Sequence, residues 1–302
     1  MLRFKFAKDH TDINFMGIHK LMLLLSFSMM TLAVILLFTR GLNLGIDFTG
    51  GLLMEIRTPS NIHITEVRHA LESLSAGTPT IQEFGDNAIM VKIPGKEVDQ
   101  TTQKKLYEEV KNLLGADVEY RRVEYVGPQV GKELILVGVK AFIYSMIGIL
   151  AYLWFRFEWQ FGVTGVLALA HDVCATLLFF ILTGYEFDLS TVAAVLLVAG
   201  YSINDTVVVF DRIREMLRKY KKMELKDLFN LSINQMLSRT IMTSMTTFLA
   251  MMALLIFGPE VIKGFTYAML IGILVGTYSS IFVASPVLLY LGLRQEAVQA
   301  PA

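Results

Sequence analysis

Six long runs of apolar residues dominate the sequence, and shorter polar stretches separate them. A bilayer core of ~30 Å needs about 20 helical residues, and each run has roughly that length. The pattern therefore predicts a polytopic α-helical membrane protein with six transmembrane helices. The predicted spans are Leu21–Thr39, Val139–Phe157, Phe161–Thr183, Leu189–Phe210, Ile241–Phe257 and Phe265–Leu291.

Residues 40–132, between the first and second spans, follow a different and far less apolar pattern. Alternating apolar residues predict strands at 52–57, 80–84, 88–93 and 118–125, and helical spacing predicts helices at 64–74 and 106–114. The alternation slips by one in the last strand, which indicates a β-bulge. The order β-α-β-β-α-β predicts a small α+β ferredoxin-like domain.

Charged residues in the loops predict the orientation. Lys and Arg concentrate on the cytoplasmic side of membrane proteins, and here they cluster before the first span and between the fourth and fifth. We therefore expect residues 1–20 and 295–302 in the cytoplasm, the 40–132 domain outside, and residues 133–294 to hold spans two to six. The fourth loop alone carries Arg212, Arg214, Arg218, Lys219, Lys221, Lys222 and Lys226.

Composition supports a membrane location and excludes several classes of protein and of site. The chain is 54% hydrophobic and 18% charged with no net charge, whereas soluble domains are roughly 45–50% apolar and about 25% charged. This argues against a soluble enzyme or a nucleic-acid binder. The single cysteine, Cys174, excludes a disulfide framework and a cysteine-based zinc site. We expect no cofactor, no metal and no catalytic residue.

The most informative residues are ionisable groups inside the spans, because each costs a few kcal/mol to insert. Asp205 lies in the fourth span beside Asn204, and Arg239 and Thr243 lie in the fifth. Since these spans are antiparallel neighbours, Asp205 and Arg239 are expected at similar depth. They are either a protonatable carboxylate beside a fixed cation or a structural ion pair that joins two helices.

His171 and Asp172 lie in the middle of the third span. Adjacent helical positions point about 100° apart, so we do not expect these two side chains to pair. A proton-relay role and a buried structural hydrogen bond are both open.

A stripe of small residues recurs every four positions along the sixth span. Gly272, Gly276 and Ser280 form its centre, flanked by Ala268 and Ala284. Small residues allow another helix to approach closely, so the stripe indicates helix packing.

Five motifs follow one another along the chain: Gly45–Gly51, His171-Asp172, Gly200–Glu215, Ser238–Ser244 and Gly276–Ser280. This ordered series resembles the SecD/SecF family of protein-export membrane proteins, within the resistance-nodulation-division superfamily. The first contains Gly45, Asp47, Gly50 and Gly51 just after the first span. Its glycine pair permits a turn that other residues resist.

The resemblance implies a fold, a site and partners. The chain is expected to pair with a SecD-like six-span subunit in the bacterial inner membrane. That pair uses proton-motive force to assist secreted polypeptides leaving the SecYEG channel, and a YajC-like accessory protein is a further expected partner. The family's proton pathway implies roles for Asp205, Arg239 and Thr243, with another Asp supplied by the SecD-like subunit. Asn204, His171 and Asp172 complete our candidate proton pathway.

Three alternatives compete with this interpretation. A small-molecule or lipid exporter of the same superfamily usually carries two six-span halves and two large outer domains, whereas only one of each is present here. An intramembrane protease needs a Gly-x-Ser-x-Gly or Gly-x-Gly-Asp stretch, which the spans lack. A purely structural assembly subunit explains the small-residue stripe but not the Asp and Arg inside the spans.

Overall fold

A computed structural model describes residues 11–57, 80–84, 88–94, 100–114, 119–291 and 293. The predicted helix at 64–74 and both termini lie outside the described residues. In chain order the elements are α1 (His19–Thr39), α2 (Ile46–Thr49), β1 (Gly51–Arg57), β2 (Thr80–Phe84), β3 (Ala88–Pro94), α3 (Gln100–Leu114), β4 (Glu119–Val126), α4 (Pro128–Arg156), α5 (Trp159–Thr183), α6 (Leu189–Lys219), α7 (Leu225–Phe257), α8 (Lys263–Ser279) and, after a π-helical turn (Ser280–Ala284), α9 (Ser285–Leu289).

Six helical segments in the described part are long and apolar enough to cross a membrane. They are α1, α4, α5, α6, α7 and the continuous segment from α8 through α9, with mean hydropathy between 1.8 and 2.6. The predicted polytopic α-helical class is confirmed. The α5 and α8–α9 segments are the most buried, and α1, α4 and α7 expose much of their apolar surface.

Helices α6 and α7 extend well beyond the apolar runs that predicted them. Helix α6 continues nine residues past Phe210 to Lys219, and α7 begins at Leu225, sixteen residues before Ile241. Both extensions are amphipathic, so a search for continuous apolar runs does not detect them. Their apolar sides meet in one buried cluster that includes Ile213, Met216, Leu228, Phe229 and Ile233.

The domain between α2 and α4, which we call the outer domain after its predicted position, contains a four-stranded antiparallel sheet in the order β2-β3-β1-β4. Its core is built from alternate residues of the central strands, Leu52, Met54 and Ile56 on β1 and Val91 and Ile93 on β3, and Val110 of α3 packs against them. The register between β1 and β4 shifts at Glu55/Ile56. The predicted irregularity in the last strand is therefore present.

Candidate functional site

Asp205 lies near the middle of α6 and is 3% exposed. Ser244 Oγ on α7 donates a hydrogen bond to Asp205 Oδ2 at 3.2 Å. The same hydroxyl lies 2.7 Å from Thr277 Oγ1 on α8. A short chain of polar groups therefore joins the carboxylate to two neighbouring helices.

Arg239 and Thr243 lie one turn apart on α7, on the side that this chain leaves exposed. Arg239 interacts electrostatically with Asp205. Among the described residues, however, these two side chains do not form an ion pair. The Thr243 hydroxyl also lies near Asp205, while its hydrogen bonds run to the backbone oxygens of Thr240, at 2.9 Å, and of Arg239, at 3.1 Å. The Arg239 guanidinium therefore attracts the Asp205 carboxylate without a direct ion pair that would fix its position.

Asn204 and Tyr201 extend the polar surface beside Asp205. Asn204 is exposed on α6. Tyr201 crosses to α7, where its hydroxyl donates to the Thr243 backbone oxygen at 3.0 Å and to Thr247 Oγ1 at 3.2 Å. One edge of the α6–α7 contact therefore presents polar groups on the surface of the bundle, next to a buried carboxylate.

His171 and Asp172 form a second polar cluster, buried between α5, α6 and α8. His171 Nδ1 lies 3.0 Å from Asp172 Oδ1, so the expectation that these side chains do not pair is wrong. The 100° between adjacent positions describes the Cα–Cβ directions, and rotation about the side-chain bonds brings the two polar ends together. Ser202 Oγ and Ser279 Oγ, the latter at 2.9 Å, donate to Asp172 Oδ2.

This second cluster continues toward α1. The His171 ring stacks on the Tyr278 ring with centroids 5.8 Å apart, and the Tyr278 hydroxyl lies 2.9 Å from Ser26 Oγ. Asp172 is 0% exposed. The Asp172 carboxylate thus joins α5, α6 and α8 through hydrogen bonds, and Tyr278 extends the cluster to α1.

Asp205 is the group in the first cluster whose charge can change. A carboxylate is neutral when protonated, whereas Arg remains protonated in proteins. A carboxylate in a low-dielectric interior is costly when charged unless donors and cations compensate. Here Ser244 supplies a donor and Arg239 supplies a nearby cation. The arrangement can therefore take up and release a proton with a change in helix contacts.

The small-residue stripe packs within this chain. A Cβ added to Gly272 would lie 2.2 Å from Val198 Cγ2 on α6, and one added to Gly276 would lie 3.0 Å from Ser202 Cβ. Ser280 is 0% exposed and begins the π-helical turn. The stripe thus brings α8 against α6, the helix that carries Asp205.

The glycine-rich motif after α1 lies on the loop between α5 and α6. Gly45 N donates to Phe187 O at 2.9 Å, and Asp47 Oδ2 accepts from Leu189 N at 2.9 Å. Gly50 and Gly51 have φ values of 73° and 148°, which L side chains rarely adopt. The motif therefore joins the outer sheet to the start of α6.

Sequence reasoning did not assign roles to the four hydroxyls that complete the two clusters. They belong to Ser202, Ser244, Thr277 and Ser279, all of which lie inside the motifs quoted above. Ser and Thr are common at membrane helix contacts, so their presence alone does not identify a carboxylate partner. Within the described residues, no group of three or more His, Cys, Asp or Glu side chains could hold a metal ion.

Comparison with known families covers most of the chain. Residues 105–294 match the C-terminal model of the protein export membrane proteins SecD and SecF. Residues 35–58 match the SecD/SecF GG motif. The chain belongs to the SecD/SecF family. Within this family, the GG motif is the glycine-rich segment described above.

Curated relatives place the chain in the SecF branch. It is 42% identical to the protein translocase subunit SecF of Rickettsia rickettsii over 92% of this chain and 91% of the relative. It is 43% identical to the SecF of Vibrio alginolyticus over 99% of this chain and 96% of that relative. Together with the six apolar helices, membership of the SecD/SecF family makes the chain a multi-pass protein of the inner membrane.

Solved structures of SecDF show the same architecture. The crystal structure of SecDF from Thermus thermophilus, a translocon-associated membrane protein, matches with a TM-score of 0.81 and 38% identity. That match covers 93% of this chain and 39% of SecDF. SecDF in a super-membrane-facing form matches with a TM-score of 0.72 and 37% identity, over 96% of this chain and 40% of that one. The chain therefore spans about two fifths of the SecDF length.

Proposed function

We propose that this chain is the SecF-like subunit of a SecD–SecF complex that uses proton-motive force to assist protein export. Its expected partners are a SecD-like six-span subunit, the SecYEG channel and a YajC-like accessory protein, and its substrates are secreted polypeptides. Membership of the SecD/SecF family and similarity to SecF subunits along nearly the whole chain support this proposal. The role is mechanical, with no catalytic residue.

The observation that carries the coupling role is the placement of Asp205. A unit charge that crosses 100 mV gains about 2.3 kcal/mol. A conformational cycle can use this energy only if a group changes charge within the field. Asp205 is buried in a membrane helix, contacts a second helix through Ser244 and lies near the fixed charge of Arg239.

Protonation of Asp205 would remove its attraction to Arg239 and weaken the hydrogen bond from Ser244. Both interactions join α6 to α7, so their loss favours a rearrangement of these two helices. The exposed side of Arg239 and Thr243 is where a carboxylate of the SecD-like subunit would approach. Asn204, at the same surface, would hold water on the proton path.

We propose that the outer domain is ferredoxin-like and periplasmic. The sheet order β2-β3-β1-β4 and the helix α3 packed on it support the ferredoxin-like assignment. The loop charges support a periplasmic domain with both termini in the cytoplasm. His171 and Asp172 are retained as a candidate branch of the proton pathway.

Asp205→Asn tests the coupling role because Asn keeps the size and hydrogen-bonding capacity but cannot titrate. Export is measured in inverted membrane vesicles with the proton gradient present or collapsed. We expect Asp205→Asn to abolish the gradient-dependent increment in export while the complex still assembles.

Asp211→Asn is the matched control. Asp211 lies on the same helix, is 44% exposed at its side chain and pairs with Arg156 at 2.9 Å. We expect its replacement to leave the increment near the wild-type value. If Asp205→Asn retains the full increment, Asp205 is not the coupling group and its contacts are structural.

A further inference from the structure

The segment that joins α1 to the outer sheet is fixed to the start of α6. Gly45 N donates to Phe187 O at 2.9 Å, and Phe187 N donates to Asn43 O at 2.8 Å. Asp47 Oδ2 accepts from the free backbone N–H of Leu189 at the first turn of α6. Residues 43–49 therefore form a platform that is continuous with the helix carrying Asp205.

Helix α4 holds the other side of this platform. A Cβ added to Gly131 would lie 2.5 Å from the backbone oxygen of Phe48, so the two backbones are in close contact. Phe48 also packs on Phe187, with ring centroids 6.4 Å apart. Polar and apolar contacts thus hold the platform between α4 and α6.

Glycines connect the sheet to this platform and to the membrane helices. Gly50 and Gly51 lead from the platform into β1 in backbone conformations that favour glycine. Gly127 leads from β4 into α4, with no atom within 4 Å of an added Cβ. Since Gly51 and Val126 are paired neighbours on β1 and β4, the two connections lie side by side. Both connections between the sheet and the membrane helices therefore lie at the same edge of the domain.

Among the described residues, an ion pair joins the sheet to the loop between α5 and α6. Lys92 Nζ on β3 lies 2.5 Å from Glu186 Oε2, and the two side chains are only 14% and 15% exposed. Neighbouring carboxylates have other partners: Asp47 accepts from Leu189 N, and Asp188 accepts from Thr191 N at 2.7 Å. Glu186 is therefore the carboxylate on this loop that binds the sheet.

A crevice lies beneath the sheet, beside the ion pair. It has a volume of about 220 Å³ and lies between strands β1, β3 and β4 on one side and the starts of α6 and α8 on the other. Lys92 and Glu186 both line it. The ion pair therefore joins the sheet to the membrane helices beside an open space whose lining is both polar and apolar.

We propose that Lys92 and Glu186 are positioning residues that hold the outer domain closed, and that export assistance requires this pair to separate as the domain turns about Gly50–Gly51 and Gly127. This inference rests on the proposed proton-coupled function. Movement of α6 after protonation of Asp205 shifts the α5–α6 loop, because that loop runs directly into the first turn of α6. The hydrogen bonds of Gly45 with Phe187 and of Asp47 with Leu189 fix the platform to both. Glu186 moves with the loop, and the ion pair breaks.

The first test exchanges the charges. Lys92→Glu and Glu186→Lys each place like charges together, and we expect each to lower the gradient-dependent export increment about fivefold. The double variant restores an ion pair with reversed polarity and should recover at least half of the increment. Recovery separates a specific pair from a general folding defect. Full activity in both single variants, or no recovery in an assembled double variant, would overturn the role of the pair.

The second test joins positions 92 and 186 by a covalent cross-link. In a Cys174→Ala background, Lys92→Cys and Glu186→Cys are joined in intact cells by a reducible bis-methanethiosulfonate reagent before inverted vesicles are prepared. We expect the cross-linked complex to lose the gradient-dependent increment and a reductant to restore it. The matched control joins Lys92→Cys to Leu53→Cys, which are paired within the sheet, and should keep the increment.

Two reference samples separate failure of this inference from failure of the proposed function. Wild type and Asp205→Asn are assayed beside the cross-linked complex. Suppose that wild type shows the gradient-dependent increment and Asp205→Asn lacks it, but the cross-link between positions 92 and 186 leaves the increment intact. The domain then does not need to open, and the inference is wrong. If wild type shows no gradient-dependent increment, the proposed function itself fails.

Discussion

At the scale of single residues, the two buried carboxylates of the membrane helices have different surroundings. Asp172 is surrounded by His171, Ser202 and Ser279, which all lie within hydrogen-bonding distance of its oxygens. Asp205 lies beside an exposed polar edge and receives its 3.2 Å hydrogen bond from Ser244. Asp172 is therefore held by three side chains, whereas Asp205 has fewer such partners and lies next to the exposed polar edge of the α6–α7 contact.

Substitutions at Asp172 therefore test how much its hydrogen bonds stabilise the protein. Asp172→Ala removes the hydrogen-bond partner that His171, Ser202 and Ser279 share. Ser279 Oγ can still donate to the Gly276 backbone oxygen at 3.2 Å, and each group left unsatisfied costs about 1–3 kcal/mol. We expect Asp172→Ala to lower the unfolding temperature of the detergent-solubilised complex clearly, and Asp172→Asn, which can still bind Ser202 and Ser279, to lower it much less. Equal temperatures for the two variants would show that the hydrogen bonds at Asp172 contribute little.

At the scale of helices, the contact between α6 and α8 sets the position of both polar clusters. Gly272 meets Val198 and Gly276 meets Ser202 at distances that leave no room for larger side chains. Asp172 then binds Ser202 from α6 and Ser279 from α8 across this contact. Small residues on α8 are thus the reason that hydroxyls from two helices reach one carboxylate.

Gly272→Ala should overpack this contact and destabilise the protein by about 1–3 kcal/mol. Val198→Ala removes the two methyl groups nearest to the added atom, so the double variant should recover part of the loss. The measurement is thermal unfolding followed by size-exclusion chromatography. Gly200→Ala on α6, where an added Cβ has no neighbour within 4 Å, is the matched control and should unfold near the wild-type temperature.

At the scale of the whole molecule, the bundle has a buried centre and an apolar periphery. The α8–α9 segment is enclosed by its neighbours, while α1 and α4 expose large apolar side chains such as Phe38 and Phe155. A protein surface of this kind is stable in lipid, where exposed apolar groups carry no hydration cost. The outer sheet and the basic α6–α7 turn lie beyond opposite ends of these helices.

The proposed orientation predicts a labelling pattern. In a Cys174→Ala background, a membrane-impermeant thiol reagent applied to the periplasmic side of cells with a permeabilised outer membrane should modify a cysteine at Lys104, exposed on α3. It should not modify one at Lys222, exposed in the turn between α6 and α7, until the inner membrane is permeabilised. Labelling at Lys222 alone would reverse the orientation.

Much of the fold could be predicted because the bilayer imposes a simple requirement on sequence. A helix that crosses hydrocarbon must be apolar for about 20 residues, so the six spans appear as continuous runs. Strand alternation likewise predicted the four strands, and the slip between Tyr120 and Val123 predicted the irregularity in β4. The amphipathic ends of α6 and α7 were missed because their apolar residues become a buried surface only when the two helices pack together.

The sequence by itself determined the helical membrane class, the presence of a small α+β domain between the first two spans and the family, since these follow from local periodicity and motif order. The tertiary structure alone decided which groups meet. The pairing of His171 with Asp172, the hydrogen bond from Ser244 to Asp205 and the ion pair between Lys92 and Glu186 depend on side-chain rotation and on contacts between distant residues. Local spacing along the chain does not specify such contacts.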